Sequence, residues 1–139
     1  MDNRALNYLA LAKKGRLVEL GEEPVGAVTR AIKGRLVVVA SDASDHTWRR
    51  AKSFVAGTEQ QCIRVPFTKE ELGFVVGRTS LAIAAFTDAA LALAFVKALP
   101  NAEKFSEVEQ ALDIKAKKLR QRRDESKAHQ RNIRMGKKK

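Results

Sequence analysis

Apolar positions in this chain switch between helical spacing and short continuous runs, with Gly and Pro at most of the changes. Leu6, Leu9 and Ala10 repeat at helical spacing, which predicts an amphipathic helix over residues 4–14, stopped by Gly15. Arg16 to Leu20 reads as a short strand. Gly21-Glu22-Glu23-Pro24 opens a second helix. Proline fits a first turn, where its missing N–H has no intrahelical partner, and the carboxylates suit the positive end of the helix dipole. The buried face of this helix is expected at Ala27, Val28, Ala31 and Ile32, with Gly34 as its stop.

Leu36 to Ala40 is apolar throughout and rich in β-branched residues, the pattern of a central strand covered on both faces. Ser41 to Asp45 is a loop with several capping residues, leading into a helix through Trp48, Ala51 and Val55 that Gly57 breaks. Cys62 to Val65 is another short strand. Thr68 and Glu71 have capping-box spacing and start a helix through Leu72 and Val75, closed by Gly77. Leu81 to Phe86 is a strand, and Ala89 to Leu99 a helix stopped by Pro100. Ser106-Glu107-Val108-Glu109 repeats the capping-box pattern, and Val108, Ala111, Leu112, Lys115 and Leu119 form one stripe. Beyond Leu119 the stripe ends, so Arg120 to Lys139 is expected to be exposed and largely disordered without a partner.

Strands alternating with helices predict an α/β domain whose small sheet is covered by helices on both faces. The domain takes up residues 1–103. Residues 104–139 form an extension, helical at its start. Charge draws the same boundary. Residues 115–139 hold twelve Lys and Arg against Asp124 and Glu125, so they carry +10 of the formal +11, and residues 1–114 carry the remaining +1. A basic tail on a nearly neutral body fits an electrostatic arm for a polyanion, most often nucleic acid. Lys117, Lys118, Arg120, Arg122, Arg123, Lys127, Arg131 and Arg134 are the expected phosphate contacts, which carry no sequence preference. Selectivity has to come from the body.

Several chemistries drop out. Cys62 is the only cysteine, which removes an internal disulfide or a multi-cysteine zinc site, and its strand setting fits a buried thiol. Ser41-Asp42-Ala43-Ser44-Asp45-His46 brings Ser, Asp and His together, but in one contiguous loop ahead of a helix, where capping explains it better than a triad assembled from distant segments. His129 has no ligand partners nearby in the tail, so no metal is expected. Gly73 and Gly77 bracket a helix without the strand–loop–helix setting of a nucleotide site, and no cofactor is expected. Trp48, Arg49 and Arg50 offer a stacking platform, but the helical spacing of Trp48 with Ala51 and Val55 favours a partly buried indole. No secretory signal or membrane span is read, so a cytoplasmic protein is expected.

The segment order resembles the kink-turn-binding ribosomal protein superfamily, the L-seven-Ae/L-thirty-e group, and within it the short bacterial YlxQ-type proteins. The resemblance rests on Gly21-Glu22-Glu23, on Leu36 to Ala40 followed by Ser41-Asp42-Ala43-Ser44, and on Phe67-Thr68-Lys69-Glu70-Glu71-Leu72-Gly73. It extends to Gly77-Arg78 and the run from Leu81 to Asp88, covering residues 4–99 and leaving out the tail. It implies a three-layer α/β/α sandwich around a small mixed sheet. It also implies binding of sharply bent RNA by two adjacent surfaces, the loop and helix start at Gly21 and the loop Arg78-Thr79-Ser80-Leu81. Leu81 would then pack on a splayed base. Archaeal members carry an Asn-Glu pair and a downstream Lys on this helix, where this chain has Glu23, Pro24 and Ala27. Arg30, one turn later, partly replaces the missing cation.

The sequence therefore points to a non-catalytic protein of the ribosome or another ribonucleoprotein that binds kink-turn-like RNA. Lys14, Arg16, Gly21, Glu22, Glu23, Arg30, Arg78, Thr79, Ser80 and Leu81 are its candidate RNA contacts, with Lys13 and Lys33 beside them. RNA is the expected partner, ribosomal proteins are candidate neighbours, and a monomer is expected. The alternative is a protein-interaction module recruited to RNA mainly through its basic tail. A third reading, the RNA-recognition part of a modification enzyme, needs a partner to supply the cofactor.

Overall fold

The computed structural model describes residues 4–136, with side chains placed through Gln130. In chain order it contains α1 (Arg4–Lys14), β1 (Val18–Leu20), α2 (Glu22–Arg30), β2 (Leu36–Val39), α3 (Asp45–Val55) and β3 (Gln61–Arg64). These are followed by α4 (Lys69–Val75), β4 (Ile83–Phe86), α5 (Ala89–Lys97), a 3-10 turn at Ala102–Phe105 and α6 (Ser106–Gly136). The strands pair in the order β1-β4-β2-β3, with β4 antiparallel to both neighbours and β2 parallel to β3. Helix α2 packs on α3, and α1 packs on α4 and α5, giving the expected layered α/β sandwich with a mixed sheet.

Register gives the sheet two ends. Leu20, Ile83, Val39 and Arg64 lie at one, and Val18, Phe86, Leu36 and Gln61 at the other. Its centre is apolar on both faces: Leu36 to Ala40 are fully buried, and Phe86 meets Phe95 with ring centroids 4.9 Å apart. Full burial of each such Val, Leu or Phe side chain stabilises by about 1.5–3 kcal/mol over exposure. Caps set the helix starts. Thr68 and Glu71 complete the reciprocal capping box of α4, and Ser44 Oγ accepts the Thr47 N–H at 3.1 Å to begin α3.

Several expectations need correction. First, the buried face of α2 is Val25, Gly26 and Thr29; Ala27, Ala31 and Ile32 are exposed. Thr29 can be buried because its hydroxyl donates to Val25 O at 2.8 Å within the helix. Gly26 allows close approach of α3: a Cβ there would lie 3.3 Å from the Phe54 ring. The helix ends before Gly34, at a turn where Ile32 takes φ 57. Gly34 instead seats Gln60, whose Oε1 accepts the Gly34 N–H at 2.9 Å.

Second, β4 begins at Ile83 and not at Leu81, because the Leu81 N–H donates to Lys69 O at 2.9 Å, at the start of α4. Third, α6 continues as one helix to Gly136, where disorder was expected beyond Leu119. Residues 106–135 contain no Gly or Pro, and the i,i+4 pairs Asp113–Lys117 (3.0 Å) and Gln121–Glu125 (3.2 Å) support the exposed part. The second capping box does not form. Ser106 already has helical angles (φ −60, ψ −37), since the 3-10 turn runs straight into α6.

Candidate nucleic-acid interface

Gly21 joins β1 to α2 with φ 97 and ψ 162, a conformation essentially reserved for glycine. Its N–H donates to Ile83 O at 3.0 Å, which fixes the start of α2 at the Ile83 end of the sheet. The first turn of α2 leaves the N–H groups of Glu22 and Glu23 without a partner in the helix, Pro24 having none to offer, and Glu23 and Pro24 are exposed there. The loop between α4 and β4 comes to the same place. Gly77 turns the chain with φ 75, and the Arg78 N–H donates to Gly73 O at 2.8 Å. Gly73 lies directly beneath this loop: a Cβ there would be 2.8 Å from both Arg78 O and Ser80 N.

This seating carries the Arg78 guanidinium over α2. Its Nη1 lies 3.7 Å from where a Gly21 Cβ would be. Helix start and loop thus form one surface, with Arg78, Thr79 and Ser80 exposed. Leu81 does not belong to it. At 2 % exposure it is a core residue and cannot pack on a splayed base, which corrects the expectation for this position.

Of the flanking cations, Lys13 comes closer to this surface than its place beside the candidate contacts suggested. Lys13 Nζ donates to Val76 O at 2.7 Å, capping the end of α4, and stands 3.7 Å from a Cβ position on Gly77. Lys14 lines a shallow hollow with Lys13, Val76 and Gly77. Arg16 lies elsewhere, exposed in the turn before Val18 at the opposite end of the sheet. About 15 Å of extended chain separates it from Gly21. Arg30, at the far end of α2, lies against Gly26, with Nη1 3.3 Å from a Cβ position there. It is roughly 12 Å of helix away from Glu22.

Glu22 is neutralised from α3. Its Oε1 accepts from Arg50 Nε at 2.6 Å, and the Arg50 guanidinium also stacks 5.1 Å from the Phe54 ring centroid. No sequence signal marks that pairing, since the residues are far apart in the chain. Trp48 is half-buried under two cations, Arg64 at 5.0 Å and Lys52 at 5.4 Å, and is not an open platform. The Ser/Asp/His loop is committed to caps: Asp42 Oδ1 accepts the Lys69 N–H at 2.8 Å, and Ser44 caps α3. Burial pushes the Cys62 thiol up to about 12, against a smaller downward pull from Lys52.

The basic helix serves a different end of the molecule. Leu112 and Ala116 are buried, and Ala111, Leu112 and Lys115 border a hollow with Gly34, Arg35 and Gln60, at the Phe86 end. Lys115 pairs with Glu59 at 3.7 Å, and Lys117 with Asp113. Lys118, Arg120, Arg122, Arg123 and Lys127 are exposed. Arg131 and Arg134 continue the helix, but their side chains lie outside the described residues.

The sequence matches no family model and no curated protein. Solved structures do resemble it. A protein of unknown function from Bacillus halodurans superposes with a TM-score of 0.63 at 23% identity, over 68% of this chain and 95% of that one. A Giardia lamblia 15.5kD RNA binding protein superposes with a TM-score of 0.59 at 15% identity, over 76% and 87%. This chain shares their fold. Among the described residues, no helix is long and apolar enough to cross a membrane.

Proposed function

We propose that this protein binds structured RNA through the surface that Gly21, the first turn of α2 and the loop from Gly77 to Ser80 build together. The observation that carries the reading is the position of Arg78 over Gly21, a guanidinium at the start of the helix that bears the Glu22 and Glu23 N–H groups. N–H groups at a helix N-terminus donate to phosphate oxygens, and a guanidinium beside them adds a bidentate donor and a charge. Glu23 is placed to accept from a guanine edge, which bent RNA exposes and a regular A-form duplex hides. The shared fold with an RNA binding protein supports this reading, as does the resemblance to the kink-turn-binding superfamily.

The finer reading is a non-catalytic, cytoplasmic member of that superfamily, of the YlxQ type. It would act as a monomer on kink-turn-like RNA within the ribosome or another ribonucleoprotein, and α6 would add salt-sensitive phosphate contacts. The test is a titration of the full chain, of Arg78→Ala and of an α6 variant with Arg120, Arg122, Arg123 and Lys127 changed to Gln. Each is measured against a kink-turn RNA and a copy lacking its sheared G·A pairs. Preference for the intact RNA, lost in Arg78→Ala and kept in the α6 variant, supports the reading. Equal binding of both RNAs, abolished in the α6 variant, supports the module recruited through its basic helix instead.

A further inference from the structure

We propose that the groove between α1 and α4 seats an unpaired nucleotide, its base stacked on Phe74 and its phosphate held by Lys13 and Lys14. This rests on the RNA reading above and extends the surface onto a face which that reading does not use. Phe74 is 83 % exposed, although its neighbours Leu72, Gly73 and Val76 are buried. The ring therefore contributes nothing to the core and stands on α4 one turn before the Gly77–Arg78 loop. Two open hollows of about 520 and 460 Å³ lie side by side between α1 and α4, the first lined by Lys13 and Lys14, the second by Phe74, with Asn7 and Val75 bordering both. Leu11, 54 % exposed, lines the first on α1.

Charge runs along the groove. Lys13 and Lys14 stand where it meets Gly77, and Glu70 and Glu71 stand at the Phe74 end, Glu71 being held by the Thr68 N–H at 3.0 Å. Its basic end thus abuts Arg78, the cation that covers Gly21. A nucleotide strand leaving that surface meets the ammonium groups first and the aromatic face next. Phe74 and Gly77 face each other across the end of α4, where the Gly77 N–H meets Phe74 O at 3.5 Å, so one nucleotide can reach both. Stacking accepts any base, and the lysines supply the phosphate contact. An apolar protein segment would also cover Phe74, but it would leave the lysines at the RNA-facing end without a counter-charge.

The test uses the full chain and a kink-turn RNA with or without three unpaired adenosines on either strand in turn, one replaced by 2-aminopurine. Phe74→Ala should weaken binding of the extended RNA by about 5- to 100-fold and leave the unextended RNA unchanged. Phe74→Trp should retain affinity and quench the 2-aminopurine, and Lys14→Gln should weaken binding of the extended RNA. Because Phe74 is so exposed, these variants should unfold at the wild-type temperature. If Phe74→Ala binds the extended RNA as wild type does, the groove holds no nucleotide and is left to a protein segment, while the RNA reading stands. If wild type binds neither RNA, the RNA reading fails and takes this proposal with it.

Discussion

Glu22 Oε1 lies 2.6 Å from Arg50 Nε, an ion pair that ties the first turn of α2 to α3 and cancels the carboxylate nearest the proposed phosphate site. Both side chains are about half exposed, so the pair adds ~1 kcal/mol or less to stability. Its effect is on binding. Arg50→Met should weaken RNA affinity several-fold by leaving Glu22 bare, and Glu22→Gln added to it should restore affinity. Denaturation midpoints of Arg50→Met, of Glu22→Gln alone and of the double variant should stay near wild type, and a double-mutant cycle on RNA affinity checks the coupling.

Gly73→Ala should damage both stability and RNA binding. The added methyl would meet backbone atoms of Arg78 and Ser80 at 2.8 Å, so the loop itself has to move. Overpacking of this kind costs about 1–3 kcal/mol. Gly57→Ala is the control. Its Cβ would meet nothing within 4 Å, though at φ 73 it strains the backbone by ~1–2 kcal/mol. Urea titration should show both variants destabilised, and RNA titration should show a loss only in Gly73→Ala.

Local rules read most of this fold correctly because they describe local physics. The apolar run of β2 and the Thr68–Glu71 box formed as expected, and the Ser41–Asp45 loop supplied a cap for α3, from Ser44. The failures came where a distant residue decided. The buried face of α2 depends on Gly26 receiving Phe54, and the start of β4 depends on Lys69 O taking the Leu81 N–H. Neither partner is a sequence neighbour. The site suffered more. Gly21 and Arg78 were legible through family resemblance, but Lys13, Arg50 and Phe74 gain meaning only from the spacing of α1, α3 and α4. The length of α6 was legible in its composition, without Pro and without Gly before Gly136, but its charge density argued for disorder.

Cys62 should be inert at neutral pH. Burial raises its thiol from an ordinary value near 9 to about 12, so the folded state holds the proton more tightly than the unfolded state. The resulting stability is fully present below pH 9 and is lost as pH rises from 9 toward 12, by up to ~1.4 kcal/mol per pH unit. Urea titrations at pH 8 and 10 should show wild type losing more stability than Cys62→Ala. Alkylation at pH 8.5 should be much slower in native than in urea-unfolded protein.

The basic helix should contribute affinity from the far side of the molecule. It docks at the Phe86 end of the sheet, whereas Gly21 and Arg78 stand at the Ile83 end, and residues 120–130 are exposed throughout. RNA that engages both must be large enough to wrap the body, or present two separate segments. Changing Arg120, Arg122, Arg123 and Lys127 to Gln should reduce the slope of log affinity against log salt by ~3–4 on a long duplex-bearing RNA, at about 0.9 for each phosphate no longer neutralised. On a minimal kink-turn hairpin the slope should change little, because the hairpin is too short to reach α6 from the Gly21 surface. Leu112→Ala separates docking from charge. It should destabilise the fold by about 2–5 kcal/mol through the cavity beneath α6, yet keep the charges that set the slope. An equal change of slope on both RNAs would mean that α6 and the Gly21 surface share a single RNA segment.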